Sequence, residues 1–187
     1  MSILPPVNPT CPANCGSTLP DTLFNVCNPS VGFGEIQSIF IGVATADPFS
    51  DWTDLTQWET ALALAVSETN AIRELVVSAD LPAAAADEIV ISKGRKIYSP
   101  ATHTINFDID DISGENYDFA RMTSCNLQFR VWFMTASYMY GGNDGILAMI
   151  NIRPVIERGI KSLNKLTGTV TWEAQFSPER AESVYAS

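Results

Sequence analysis

Four runs of alternating residues in the second half of the chain constrain its fold more than any other feature. In the first run, polar residues separate Ile105, Phe107 and Ile109, and a similar period of two recurs in the other three runs. This period places apolar side chains on one face of a β-strand and polar side chains on the other. Polar segments such as 140–145 separate the runs, which predicts an antiparallel sheet with one buried face. The predicted strands span 104–110, 127–133, 146–152 and 170–176.

The first half of the chain adds one strand and one helix. Apolar residues occupy much of both faces of segment 36–43, which predicts a strand with at least one fully buried face. A helix is predicted over 55–67, because apolar residues recur there every three or four positions. Asp54, followed by Gln57 three residues later, has the pattern of a capping box at the start of this helix.

Residues 1–34 are predicted to form an extended arm. They contain six of the 11 prolines and show neither helical nor strand periodicity. Their apolar content exceeds that of a solvated linker, so the arm is expected to pack on its own domain or on a neighbouring subunit. Residues 35–187 are long enough for a single β-rich domain. The fold prediction is mainly β (α+β): an antiparallel β-sandwich or barrel with one amphipathic helix and a Pro-rich N-terminal arm.

The segment before these four strands is less regular. Its strand-like stretches 75–77 and 88–92 flank an alanine-rich segment, which predicts a short hairpin between the two stretches. The basic residues that follow, Lys93, Arg95 and Lys96, lack the glycine spacing of a phosphate-binding loop. We interpret them as a solvated turn.

Charge is distributed unevenly along the chain. The net charge is −10, and residues 1–92 account for all of it, because their one base is Arg73. Such a chain offers no extended cationic surface, so no direct sequence-specific nucleic-acid binding is expected. Charged residues make up 17% of the chain, below the ~25% typical of soluble domains, and this favours a symmetric oligomer that buries uncharged surface. No apolar run is long enough to span a membrane and no secretion signal is recognisable, so no membrane partner is expected.

Residues suited to catalysis or metal binding are few. His103 is the single histidine and no nucleophile motif accompanies it, so we expect no enzyme activity and no catalytic residues. The four cysteines leave a zinc site or a disulfide open, but their spacing is not that of two close pairs. The acidic run 108–118 leaves a calcium site open, although a solvated loop is the preferred interpretation. No metal and no cofactor are predicted.

Four tryptophans leave an alternative function open. Trp52, Trp58, Trp132 and Trp172 are candidates for stacking on a ligand, as in a small β-sandwich module that binds carbohydrate or a cell-surface partner. Because tryptophans at helix or strand spacing are usually core residues, packing is the preferred interpretation.

Two stretches carry a resemblance to known proteins. Residues 51–58, Asp-Trp-Thr-Asp-Leu-Thr-Gln-Trp, and 107–116, Phe-Asp-Ile-Asp-Asp-Ile-Ser-Gly-Glu-Asn, look like virion proteins of phages that infect Bacteroidetes, including the crAss-like group. Together with the arm, helix and strands, the chain resembles virion structural proteins of tailed bacteriophages, especially the tail-tube-like family.

The resemblance implies a small β-sandwich or barrel whose copies close into rings. The implied function is a non-enzymatic subunit of a ring, tube or connector layer, and a capsid-attached fibre or decoration protein is an alternative. The implied partners are copies of the chain and other virion structural proteins. The implied location is the virion, assembled in the host cytoplasm.

The charge asymmetry predicts where copies of the chain meet. If the basic turns lie at one end of the domain and the acidic start of the helix at the other, neighbouring copies dock basic end to acidic end. The predicted interface residues are Asp51, Asp54, Lys93, Arg95, Lys96, Arg158 and Lys161.

Overall fold

A computed structural model describes residues 34–125, 127–156 and 164–185 of the chain. Within these residues it contains ten strands, two α-helices and one short 3₁₀ turn. The predicted N-terminal arm lies outside the described residues except for Gly34. In chain order the elements are β1 (Ile36–Val43), α1 (Leu55–Ala63), β2 (Ile72–Asp80), β3 (Glu88–Val90), the turn Ser92–Gly94, β4 (Lys96–Tyr98), β5 (Ala101–Ile109), α2 (Gly114–Thr123), β6 (Gln128–Thr135), β7 (Tyr138–Tyr140), β8 (Ile146–Val155), β9 (Lys165–Ala174) and β10 (Arg180–Glu182).

Six strands close into an antiparallel barrel. The hydrogen-bonded order is β1-β2-β5-β9-β8-β6, and β6 pairs back onto β1 over its full length. The other edge of β6 is shared: β8 pairs with its first half and β7 with Phe133 and Met134. β10 then pairs with β7 outside the barrel. The structure therefore confirms the mainly β prediction, and of the two proposed architectures it is the barrel.

The predicted apolar faces of the strands fill the barrel interior. All four alternating runs contribute, and the interior residues include Ile105, Phe107, Val131, Ile150 and Val170. A register shift in β1 between residues 36 and 38 turns Ile36 to the same side as Ile39 and Ile41. An unbroken alternation along 36–43 would place Ile36 on the face opposite to Ile39 and Ile41, and the β-bulge interrupts that alternation.

A second apolar cluster lies on the outer wall of the barrel, which we call the outer cluster. There α1 and the segment before it cover β1 and β6. The rings of Phe49 and Trp58 lie 4.4 Å apart, and those of Phe49 and Trp132 lie 5.3 Å apart in an edge-to-face arrangement. Hydrogen bonds from the Trp52 backbone to Asn143 and from Trp58 Nε1 to the Trp52 carbonyl hold the segment in place. The outer cluster comprises Phe40, Phe49, Trp52, Trp58, Ala61, Ile72, Trp132, Met134 and Met139.

Helix α1 begins where the sequence predicts and ends one turn earlier. The Asp54 side chain accepts a hydrogen bond from the Thr56 amide at 2.9 Å and so caps the helix. The capping box is modified, because the Gln57 side chain accepts from the Ser50 and Asp51 amides rather than from that of Asp54. The chain becomes extended at residue 64, so the predicted helical segment 64–67 is wrong.

Two further sequence predictions are corrected by the pairing. The strand-like stretch 75–77 lies inside β2, which pairs with β1 and β5, whereas β3 pairs with β4 instead. The acidic run predicted as a solvated loop continues into helix α2, whose N-cap is Ser113. This helix packs against β8 and buries Ala120 and Thr123. Because α2 buries only these two positions, its sequence shows no marked apolar stripe.

Candidate functional site

The hairpin formed by β3 and β4 is the least buried ordered element in the described part of the chain. It forms a two-stranded sheet of its own, and all six of its strand residues are exposed. Backbone hydrogen bonds from Ile91 to the Arg95 carbonyl at 2.7 Å and from Ser99 to the Asp87 carbonyl at 2.8 Å close its two ends. We use the name hairpin for residues 88–98.

Large apolar side chains lie on both faces of the hairpin. Ile89 opposes Ile97 on one face. Val90 and Tyr98 lie on the other face, together with the charged residues Glu88 and Lys96. The exposed fractions of the four apolar side chains are 44%, 46%, 65% and 61% in that order. A two-stranded hairpin is at best marginally stable alone in water. Contact with another surface would bury these side chains, and the described part of the chain does not supply that surface.

The tip of the hairpin is basic. Lys93 and Gly94 both have positive φ, 61° and 72°, which produces the tight reversal of the chain. Lys96 forms an ion pair with Glu88 at 2.8 Å, whereas Lys93 and Arg95 form no ion pair with any described residue. The structure therefore gathers three of the predicted interface residues on one exposed element that is both basic and apolar.

The two acidic residues of the predicted interface have local structural functions. Asp54 caps α1, and Asp51 accepts hydrogen bonds from the amide and hydroxyl of Thr53. These hydrogen bonds lower the pKa of the Asp51 carboxyl, since they favour its charged form. Sequence reasoning did not separate these local contacts from a function at an interface.

The remaining two predicted interface residues, Arg158 and Lys161, lie outside the described residues. Their connection leaves β8 after residue 155 and enters β9 at residue 165. Because β5 and β9 are antiparallel, the start of β9 lies beside the end of β5, whereas the hairpin precedes the start of β5. The end of β8 and the start of β9 therefore lie at the end of the barrel opposite to the hairpin.

Helix α2 and the residues before it form a second surface, which we call the α2 surface. Glu115, Asp118 and Met122 are spaced three and four apart and share one exposed face of the helix. Tyr117 and Ile112 add exposed apolar area beside them. Sequence reasoning singled out these carboxylates as a possible cation site, but among the described residues no group of three or more acids, histidines or cysteines is arranged to hold a metal ion. The α2 surface comprises Asp110, Asp111, Ile112, Glu115, Tyr117, Asp118 and Met122.

A cleft of about 710 Å³ lies over the three-residue stretch in which β2 pairs with β5, and Glu35, Lys165 and Thr167 also line it. Its polar groups largely satisfy one another. Asp108 accepts hydrogen bonds from Lys165 at 2.8 Å and from the Thr167 hydroxyl at 2.7 Å, and Glu35 accepts one from Ser78. Two of these pairs join a hydroxyl to a carboxylate, and both are at least partly open to solvent, as is usual for hydrogen bonds at a protein surface.

The Asp108 pair gives a pH-dependent contribution to stability. Hydrogen bonds from Lys165 and Thr167 hold the pKa of Asp108 below its ordinary value of 3.8. The contribution is therefore complete above about pH 4 and is lost as the pH falls through the lowered pKa. Asp108→Asn is expected to lower the unfolding free energy by about 0–1 kcal/mol at pH 7, because the pair is partly exposed to solvent.

Thermal denaturation at pH 7 and pH 3 tests this expectation. The difference between the wild type and Asp108→Asn should shrink at pH 3, and Asp144→Asn is the matched control, since Asp144 is exposed. A difference of equal size at both pH values would contradict the assignment.

The sequence candidates for chemistry lie apart from one another. His103 stacks on Trp172 with ring centroids 5.1 Å apart, and its Nε2 atom is buried without a hydrogen-bond partner in the described structure. Cys125 is exposed, and the other three cysteines lie outside the described residues. All four tryptophans are buried in the two apolar clusters, which supports packing over ligand stacking.

Within the described residues, no helix has the length and apolar character needed to span a bilayer. Comparisons with protein-family models, with curated proteins and with solved structures found no match to this chain.

Proposed function

We propose that this chain is a non-enzymatic virion assembly subunit, a component of a ring, tube or connector layer, and that the hairpin is one of its contact surfaces. The exposed hairpin carries this proposal. Four large apolar side chains on a marginally stable element gain stability when a partner covers them, at roughly 25 cal/mol for each Å² of apolar surface removed from water. The virion assignment rests on the sequence resemblance.

The rest of the structure is compatible with a building block. The barrel interior is filled with side chains, so it is a core and not a ligand cavity. Function then falls to the outer surface and to the segments that leave the barrel. The four tryptophans on which the binding-module alternative depends are buried, which favours assembly over that alternative.

Removing the apolar side chains on one face of the hairpin is expected to weaken self-association. The double variant Val90→Ser with Tyr98→Ser should raise the dissociation constant of the oligomer at least tenfold, since both side chains are more than half exposed and contribute little to the monomer fold. Sedimentation velocity over a concentration series measures the effect. Val76→Ser is the matched control, because Val76 is a strand valine with a similar exposed fraction, 69%.

Three results would count against the proposal. A wild-type chain that sediments as a 20.4 kDa monomer at tens of micromolar would contradict self-assembly. Unchanged association of the double variant would exclude the hairpin as a contact. An equal loss in Val76→Ser would show that any exposed valine has the same effect.

A further inference from the structure

The hairpin and the α2 surface lie at opposite ends of the same strand. The hairpin is followed after two residues by β5, and β5 is followed by the acidic run that enters α2. Nine residues of extended chain separate the two, a distance of about 30 Å at ~3.4 Å per residue. One barrel therefore presents these two surfaces at its two ends, where they are too far apart to contact each other within one copy.

The two surfaces are complementary in charge. Lys93 and Arg95 at the hairpin tip have no ionic partner among the described residues. On the α2 surface, Asp110, Glu115 and Asp118 are exposed and form no ion pair with a described residue, and they outnumber Arg121, the one exposed base of the helix. Opposite charges left without partners at the two ends of a molecule favour contact between one copy and the next.

The two surfaces also match in apolar character. The α2 surface exposes Ile112, Tyr117 and Met122, each by more than 40%, beside its carboxylates. These three side chains would cover the valine and the tyrosine on one face of the hairpin. Charge sets the orientation and the rate of such an encounter, and apolar burial provides most of its stability.

We propose that the hairpin of one copy docks on the α2 surface of the next copy, so that copies associate head to tail. The inference rests on the proposed assembly function and specifies the acceptor surface that this function leaves open. The α2 surface takes the place of the start of α1 as the acidic partner of the hairpin, because Asp51 and Asp54 already accept local hydrogen bonds. A contact between two different patches is heterologous, and it generates a closed ring or an open stack according to the rotation between copies.

A second copy fits the hairpin better than a nucleic acid or a lipid surface does. The chain carries a net charge of −10, so a polyanion that approached the basic tip would also be repelled by the rest of the molecule. A second copy brings carboxylates and exposed apolar side chains together on one surface, and this surface complements the basic tip and the apolar side chains of the hairpin.

Charge reversal in the full-length chain tests the acceptor directly. The hairpin variant carries Lys93→Glu with Arg95→Glu, and the α2 variant carries Asp110→Lys with Asp118→Lys. Each alone places like charges on both surfaces, and we expect its dissociation constant to rise about threefold to tenfold at low salt. A 1:1 mixture of the two variants should associate as the wild type does, because each hairpin then meets an α2 surface of opposite charge. Combining all four substitutions in one chain should restore association as well.

The control variant carries Glu68→Lys with Asp144→Lys, which makes the same change in net charge at exposed acids outside both surfaces. The control variant should associate as the wild type does. Mixing it with the hairpin variant should not restore the association of the hairpin variant. Sedimentation velocity at low salt and at 0.5 M salt measures association, and thermal denaturation verifies that each variant is folded.

The outcomes separate this inference from the proposed function. Rescue in the mixture supports head-to-tail docking. Two results would overturn the α2 acceptor while the assembly function stands. In the first, the hairpin variant associates weakly and the α2 variant associates normally. In the second, both variants associate weakly and their mixture does not restore association. An α2 variant that melts earlier but associates normally would show that these acids have partners within their own copy, and this too would overturn the inference. A wild type that does not associate would refute the assembly function itself.

Discussion

Replacing Trp132 by alanine is expected to lower the free energy of unfolding by about 3–5 kcal/mol, the largest effect of any single substitution considered for this protein. Trp132 is fully buried on the outer face of β6, in edge-to-face contact with Phe49 and Trp58. Its Nε1 atom donates a hydrogen bond of 2.8 Å to the Gly142 carbonyl. Truncation would therefore leave a cavity and a carbonyl without its donor at the joint between the barrel and the outer cluster.

The turn that follows β7 is built around this ring. Gly145 has a φ of +66°, and a Cβ atom there would lie 2.5 Å from the six-membered part of the Trp132 ring. The close approach of glycine backbone to the ring leaves no flexible side chain that could fill the cavity after truncation.

Urea denaturation followed by circular dichroism measures the change in stability. Trp132→Phe should cost less than the alanine variant, because it retains much of the buried ring and loses mainly the hydrogen bond. Val66→Ala serves as a control, since Val66 is 84% exposed, and should change stability by less than about 0.5 kcal/mol. A Trp132→Ala variant that loses under 1 kcal/mol would show that the outer cluster contributes little to the fold.

Replacing Gly168 by valine is expected to lower the free energy of unfolding by about 3 kcal/mol through overpacking. Gly168 lies directly opposite Phe107 in the β5–β9 pair, and the phenylalanine ring covers the glycine. A Cβ atom at residue 168 would lie 2.4 Å from Phe107 Cζ. The ring is enclosed in the barrel interior and has no space into which it can move.

A double-mutant cycle tests whether this clash is the cause. Phe107→Ala alone should also destabilise, and the combination with Gly168→Val should be much less destabilising than the two single effects added together. Thr171→Val is the matched control, because it introduces valine on the outward face of the same strand and should change stability by less than about 0.5 kcal/mol. Additive effects of Phe107→Ala and Gly168→Val would contradict the proposed contact.

The location of the candidate site was only partly predictable. Lys93, Arg95 and Lys96 were predicted from their sequence as an exposed basic turn, and the structure places them on an exposed hairpin. The strand that pairs with β3 was predicted wrongly, because 75–77 has the same β-forming composition as 96–98 and composition alone does not rank partners. Whether the hairpin side chains are exposed depends on the surrounding fold. The local sequence pattern therefore does not predict their exposure.

The sequence by itself determined strands β1, β5, β6, β8 and β9, most of their buried faces and the capped start of α1. These features depend on side-chain period and on one capping contact, both of which act between residues close in the chain. Only the tertiary structure decided that the sheet closes into a barrel, that α2 forms from an acidic segment, and that four tryptophans divide between an interior and an outer cluster. Strand partners and helices with few buried positions are selected by contacts between residues far apart in sequence, such as β1 with β6, and these contacts leave no periodic signal in either strand.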